Sequence, residues 1–293
     1  MHTYLRSVGF SEFKNSKDIK KIIDYTRENG EIRKISEDEE AVFGIIEKKF
    51  SDSFGIHLFG EYDDNDDFLT IYYYPYLKGE KVTTYDVPTI EKHNARESYA
   101  GVCEDLKVGV SLIFYLQNII EFKNEISSTF RKNVIQGVVF TGLSISGKIL
   151  FPIIKSESMI ASRKEAANKR MNLIAAARNG DEEAIENLTL EDIDTYSMVS
   201  RRIEKEDIFS IVESYFMPYG IECDMYSILG DIVAYHNEKN IFTDENIYIL
   251  TINCNDLIFD VCINQKDLLG EPAVGRRFKG NIWLQGEIAF RSI

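Results

Sequence analysis

Residues 40–50 align without a gap on residues 206–216, with five identities and two Val/Ile exchanges in eleven positions. Each stretch is followed by an aromatic-Gly-Ile sequence, Phe54-Gly55-Ile56 in the first and Tyr219-Gly220-Ile221 in the second. Further on, the pattern aromatic-Leu-Gln-x-x-Ile-x-Phe occurs twice, from Tyr115 to Phe122 and from Trp283 to Phe290, each time downstream of a Val-Gly pair. Order and spacing agree as well as residue type. A chain that repeats one unit has few fold choices, because each copy must bury the same kind of face.

Phe43, Ile46 and Phe50 fall at i, i+3 and i+7, as do Phe209, Val212 and Phe216, which is the stripe of a helix docked on one side. Gly55 and Gly220 stand where such a helix would end, a position that favours positive φ. Beyond them, segments such as 69–74 and 246–252 are dense in Tyr, Ile, Thr and Leu and read as strands. A helix followed by adjacent strands predicts an α+β fold with mainly antiparallel sheets. The expected organisation is two related α+β units, 1–155 and 206–293, joined by a helical connector over 156–205, where Ala, Glu, Arg and Lys dominate. Inside that connector Asn179-Gly180-Asp181 predicts a helix stop followed by a new N-cap. Near the N-terminus, Ser16-Lys17-Asp18 before Ile19, Ile22 and Ile23 predicts a capped amphipathic helix. Residues 134–154 predict a hairpin with its turn in the Gly142 to Gly147 stretch.

Composition narrows the function. With 34 Lys plus Arg against 48 Asp plus Glu, the formal net charge is −14, so approach to nucleic acid or an anionic membrane begins against repulsion. No apolar run has the length or flanks of a signal peptide or a spanning helix, and the expected location is the cytoplasm. Cys103, Cys223, Cys254 and Cys262 include no CxxC pair and read as reduced, structural thiols.

Several motifs resemble chemistry and fall short of it. Gly142-Leu143-Ser144-Ile145-Ser146-Gly147-Lys148 matches seven positions of a phosphate loop, but Ile149 stands where the Mg²⁺-binding hydroxyl belongs and a strand-like run follows. Ser144-x-x-Gly147 is similar to part of the cyclic-dinucleotide motif of PilZ domains, without its Asp or Asn and its spaced arginines; a turn is the preferred reading. The acidic run 63–67 lacks the glycine and glutamate of a calcium loop and reads as a solvated hairpin tip. His57, His93 and His236 have no metal spacing, and His57 reads as structural. Gln117 and Gln285, in apolar surroundings, are expected to satisfy buried backbone groups. No cofactor motif is complete and no metal site is expected.

The two copies differ in their polar decoration. The first carries His93, Arg96 and Glu97, able to grip an anion and move a proton. The second carries Arg276, Arg277 and Lys279 close to Trp283, where guanidinium forks beside an aromatic face suit a phosphate, a carboxylate or a partner's acidic patch. Ordinary surface charge is the competing account of both clusters. The residues Met1-His2-x-Tyr4-Leu5-Arg6-Ser7-x-Gly9-Phe10, Glu97-Ser98-Tyr99-Ala100-Gly101, Ile113-Phe114-Tyr115-Leu116-Gln117-Asn118 and 275–286 carry a resemblance to a bacterial family of uncharacterised proteins catalogued as a domain of unknown function, over the whole chain. That resemblance implies a bacterial cytosolic protein and transfers no activity or cofactor. The expected function is therefore a non-enzymatic binding or regulatory protein that recognises a protein partner or a small ligand. The alternative is an enzyme, or former enzyme, with Arg276, Arg277 and Lys279 holding an anionic substrate and His93 or Glu97 as acid or base. A third possibility is that the connector itself docks a protein partner.

Overall fold

The computed structural model describes residues 3–38, 41–63, 65–92, 98–105, 110–127, 134–153 and 157–291. A short 3-10 segment, Thr3–Val8, leads into α1 (Ser16–Asn29), whose Asn15 cap accepts from the N–H groups of Lys17 and Asp18. The strands β1 (Glu31–Asp38), β2 (Ala41–Lys49), β3 (Phe54–Tyr62) and β4 (Phe68–Leu77) form an antiparallel sheet in that order. Next come β5 (Thr89–Lys92), β6 (Tyr99–Cys103), β7 (Leu112–Leu116), α2 (Ile119–Ser127) and the long β8 (Val134–Leu150). Helices α3 (Glu157–Arg178), α4 (Glu182–Ile203) and α5 (Ile208–Ile211) follow. The chain ends with β9 (Tyr215–Pro218), β10 (Met225–Lys239), β11 (Asn246–Cys254), β12 (Leu257–Asn264), β13 (Leu268–Leu269) and β14 (Arg277–Arg291).

Among the described residues, β5 to β14 make one mixed ten-stranded sheet. Within it β8, β12, β11, β10 and β14 close a ring, because β14 pairs with β10 on one side and with β8 on the other. Alternation decides what fills it. Phe140, Leu250, Phe259, Val261, Phe278, Ile282 and Leu284 belong to one core, while Leu143, Ile249, Cys262 and Trp283, displaced by one residue, belong to a second core with Leu58, Tyr74 and Tyr76 of the four-stranded sheet and Ile19 and Ile22 of α1. The four-stranded sheet thus has α1 on one face and the ring on the other.

The mixed α+β class agrees with the sequence, and so do α1, β4, β11 and the break at 179–181, where Gly180 has φ +87° and Asp181 caps α4. Several local expectations are corrected. Residues 41–49 are strand β2 and not a helix, since Ile46 joins the α1 core and Ile45 the ring core. A strand covered on both faces reads as a continuous apolar run, which periodicity confuses with a helix. In the matched stretch only Ile208–Ile211 is helical, and Tyr215 opens β9. Gly220 has a positive φ of +79° but follows strand β9 and not the end of a helix, whereas Gly55 lies inside β3, where an added Cβ would meet the Tyr76 ring. Residues 134–150 form one strand with no turn at 142–147: Gly142 and Gly147 leave room for Ile282 and Phe278 of β14. That geometry removes the phosphate-loop reading of the heptapeptide. Strands drawn from 1–155 and from 206–293 share the larger sheet, with β7 parallel to β14 and β8 antiparallel to it. Asp63 and residues 65–67 do form a tip between β3 and β4, with Asp63 accepting from the N–H groups of Asn65 and Asp67, while Asp64 lies outside the described residues.

Candidate functional site

Of the residues singled out in the second polar cluster, Arg277 is buried, at 4% exposure, and its guanidinium is directed at main-chain carbonyls. Nε donates to Phe151 O at 3.0 Å, Nη1 to Val212 O at 3.0 Å and Nη2 to Phe209 O at 2.7 Å. Strand β14 therefore uses its arginine to seat α5. Burial lowers the Arg277 pKa, with Asp231 and Asp207 acting against that shift. Arg276 donates Nη1 to Glu271 O at 2.8 Å. The Trp283 indole donates to Asp224 Oδ2 at 2.7 Å and packs between Tyr4 and Tyr115 in the core. Lys279 alone of the cluster presents its charged end to a side chain surface, 4.7 Å from the centre of the Phe209 ring. His93, Arg96 and Glu97 lie outside the described residues.

A second constellation occupies the interface between the four-stranded sheet and the ring. Phe43, Ile45 and Glu47 alternate on β2, His57 faces Glu47 across β3, and Tyr72, Tyr74 and Tyr76 alternate on β4, so period-two geometry puts all of them on the ring side. Glu47, 7% exposed, accepts from the Tyr76 hydroxyl at 2.5 Å and pairs with Arg33, which also pairs with Glu121 of α2. His57 Nδ1 lies 2.9 Å from the Tyr74 hydroxyl and Nε2 lies 3.8 Å from Glu47 Oε2. The carboxylate favours the tautomer with hydrogen on Nε2, so the Tyr74 hydroxyl donates to Nδ1. Tyr115 of β7 in turn hydrogen-bonds Tyr74 and Tyr72. His57, opposed by burial and helped by Tyr76 and Arg33, holds the Glu47 carboxyl down to about 2. Burial pushes the His57 imidazole below its ordinary value. Glu287 of β14 shows the opposite behaviour: burial, with Glu121 adding to it, raises its carboxyl to about 7 despite Lys78 and Arg33.

Glu47, held low, and Glu287, raised to about 7, both feel the Arg33 charge, and perturbed carboxylates of this kind mark candidate acid–base positions. The network's hydrogen-bonding atoms are largely taken up by one another. The sequence reading missed Glu47 because it lies in a stretch expected to be helical, and missed Glu287 because its burial is set by elements remote in the chain. Read with period two, Phe43, Ile45 and Glu47 on one face would have marked a carboxylate among apolar neighbours.

The helical segment supplies a surface of a different kind. Helix α4 packs on α3, with Arg170 paired to Asp192 and Glu191. Away from that contact, Ile185, Ile193, Tyr196 and Ile203 recur at helical spacing and are exposed, Tyr196 at 76%. Glu182 and Glu186, both exposed, flank the stripe. A shallow groove of about 460 Å³ also runs along the solvent face of α1, between Lys17, Lys21 and Tyr25 and the ring of Phe242. Among the described residues no group of His, Cys, Asp and Glu is arranged to hold a metal ion, and no helix is long and apolar enough to cross a membrane.

A family model described as "Domain of unknown function, E. rectale Gene description (DUF3881)" matches residues 5–286. No curated protein and no solved structure matches the chain.

Proposed function

We propose, from the premise that the chain belongs to the bacterial DUF3881 family, that it is a cytosolic, non-enzymatic binding protein that recognises a protein partner through α4. The observation that carries this reading is the exposed stripe of Ile185, Ile193, Tyr196 and Ile203. Contiguous apolar surface rimmed by polar groups is characteristic of interaction sites. The acidic flank defines the partner's chemistry: an amphipathic helix whose apolar seam is bordered by Lys or Arg.

The rival reading, an enzyme acting on a small anion, draws less support, because Arg277 directs its donors at Phe151, Phe209 and Val212 and so lacks a free fork for substrate. The finer organisation, two duplicated units with 156–205 as connector, is part of the same proposal. It draws support from the parallel pairing of Tyr115 with Gln285, which sets the two aromatic-Leu-Gln sequences side by side.

The test replaces Tyr196 with a photocrosslinking amino acid and irradiates the protein in its native host. A discrete adduct that disappears when Ile193→Asp is added, with the melting temperature unchanged, supports the reading. No adduct, or one that survives Ile193→Asp, refutes it.

A further inference from the structure

The antiparallel register of β8 and β14 sets Lys148 directly opposite Lys279. These lysines come from the two motifs that looked most like anion chemistry, the heptapeptide ending at Lys148 and the cluster 276–279, which lie far apart in the chain. Both ammonium groups converge on one ring: Lys279 Nζ is 4.7 Å and Lys148 Nζ 5.3 Å from the centre of Phe209. Like charges directly opposite on a ladder repel. Among the described residues neither ammonium has a carboxylate partner, although the chain carries a net charge of −14. Asp207 Oδ1 accepts from the Phe209 N–H at 2.7 Å, and Asp231 stands opposite Arg277 on β10. Arg277 holds the Phe209 carbonyl, so the strand that carries Lys279 also fixes the residue whose ring both lysines approach.

We propose that Lys148 and Lys279 form a binding site for a phosphate monoester, with Phe209 as its apolar wall. Two separate ammonium charges match a dianion better than a monocarboxylate, and lysine binds phosphate as a point charge without needing a fixed fork. A doubly charged phosphoryl group between them relieves the repulsion, and the ester's carbon skeleton covers the phenyl ring.

The experiment is a thermal melt of the whole chain with phenyl phosphate, against sodium chloride of equal ionic strength. At about 10 mM phenyl phosphate the midpoint should rise by about 3 °C or more over the chloride control, as expected for a ligand well above its dissociation constant. Lys148→Met and Lys279→Met should each reduce that rise, and the double variant should abolish it while melting no lower than the native chain without ligand. Phe209→Leu should bring the response to phenyl phosphate down to that of inorganic phosphate. No rise over chloride in the native chain, or an undiminished rise in the double variant, overturns the site. Should the variants unfold, intermolecular nuclear Overhauser contacts in the native protein decide: contacts from the phenyl protons to the Phe209 ring support the assignment, and contacts confined to other residues overturn it.

Discussion

Gln117 Nε2 donates to Gln285 Oε1 at 2.7 Å, joining the two glutamines of the recurring aromatic-Leu-Gln sequence to each other inside the protein. Both are buried, at 3% and 0% exposure. Gln285 also donates to Pro75 O at 2.9 Å and accepts from Leu77 N at 3.4 Å, and Gln117 donates to Leu77 O at 3.2 Å. The pair clasps the end of β4 to the ring, and Gln117 Oε1 is the one side-chain atom of the two that lacks a partner.

Gln285→Leu should therefore cost more than Gln117→Leu. The first strands the Leu77 N–H, the Pro75 carbonyl and the Gln117 amide, at about 2 to 4 kcal/mol; the second takes a donor from the Leu77 carbonyl, Thr141 and Gln285 but also removes the unpartnered Gln117 Oε1, at about 1 to 3 kcal/mol. Urea denaturation with an unchanged m-value checks the order.

Arg277 and Arg276, adjacent in sequence, should differ as much as their surroundings do. Arg277→Met leaves three carbonyls without their donor and should lose about 2 kcal/mol or more. Arg276→Ala, with a single bond to Glu271 O, should stay within about 0.5 kcal/mol of the native chain. Equal losses in denaturant melts would refute the placement of α5 by Arg277.

Glu287 should make the protein less stable on the alkaline side of neutrality. Its carboxyl rises to about 7 on folding from an ordinary 4.5, so between those values the folded chain holds a proton that the unfolded chain has released. Stability then falls as pH climbs through that window and stays low above it. Glu287→Gln should raise the melting temperature at pH 8 by about 2 °C or more and leave it nearly unchanged at pH 4.

Glu47 works in the opposite direction. With its folded value near 2 against an ordinary 4.5, it contributes stability above pH 4.5 that is lost as the pH falls through about 2. His57, lowered by burial, adds to acid lability, since the unfolded imidazole takes up a proton at a higher pH than the folded one. Glu47→Gln should cost about 1 to 3 kcal/mol at pH 7 and flatten the acid limb between pH 5 and 2. A stability–pH profile identical to the native one would refute the network.

The elements that the sequence made legible are those whose signals are local. The apolar stripe of α1, though its cap is Asn15 and not the Ser16 to Asp18 stretch, the helix stop at Gly180, and the Tyr- and Ile-rich β4 and β11 depend on neighbours within a few positions. Glu47 and the stretch from Gly142 to Gly147 were misread for a shared reason. In each case the glycine or apolar spacing has two solutions, helix or two-sided strand for 41–49 and turn or glycine-relieved strand for 142–147. Only the partner chosen at long range selects between them.

By itself the amino-acid sequence determined composition, charge, the mixed α+β class and the recurrence of aromatic-Leu-Gln. Tertiary structure alone decided that those glutamines meet, that Arg277 turns inward while Lys279 joins Lys148 over Phe209, and that Glu47 and Glu287 titrate in opposite directions. The reason is physical: side-chain chemistry is written residue by residue, but strand register between β8 and β14, and burial between two sheets, are properties of segments separated by more than a hundred residues.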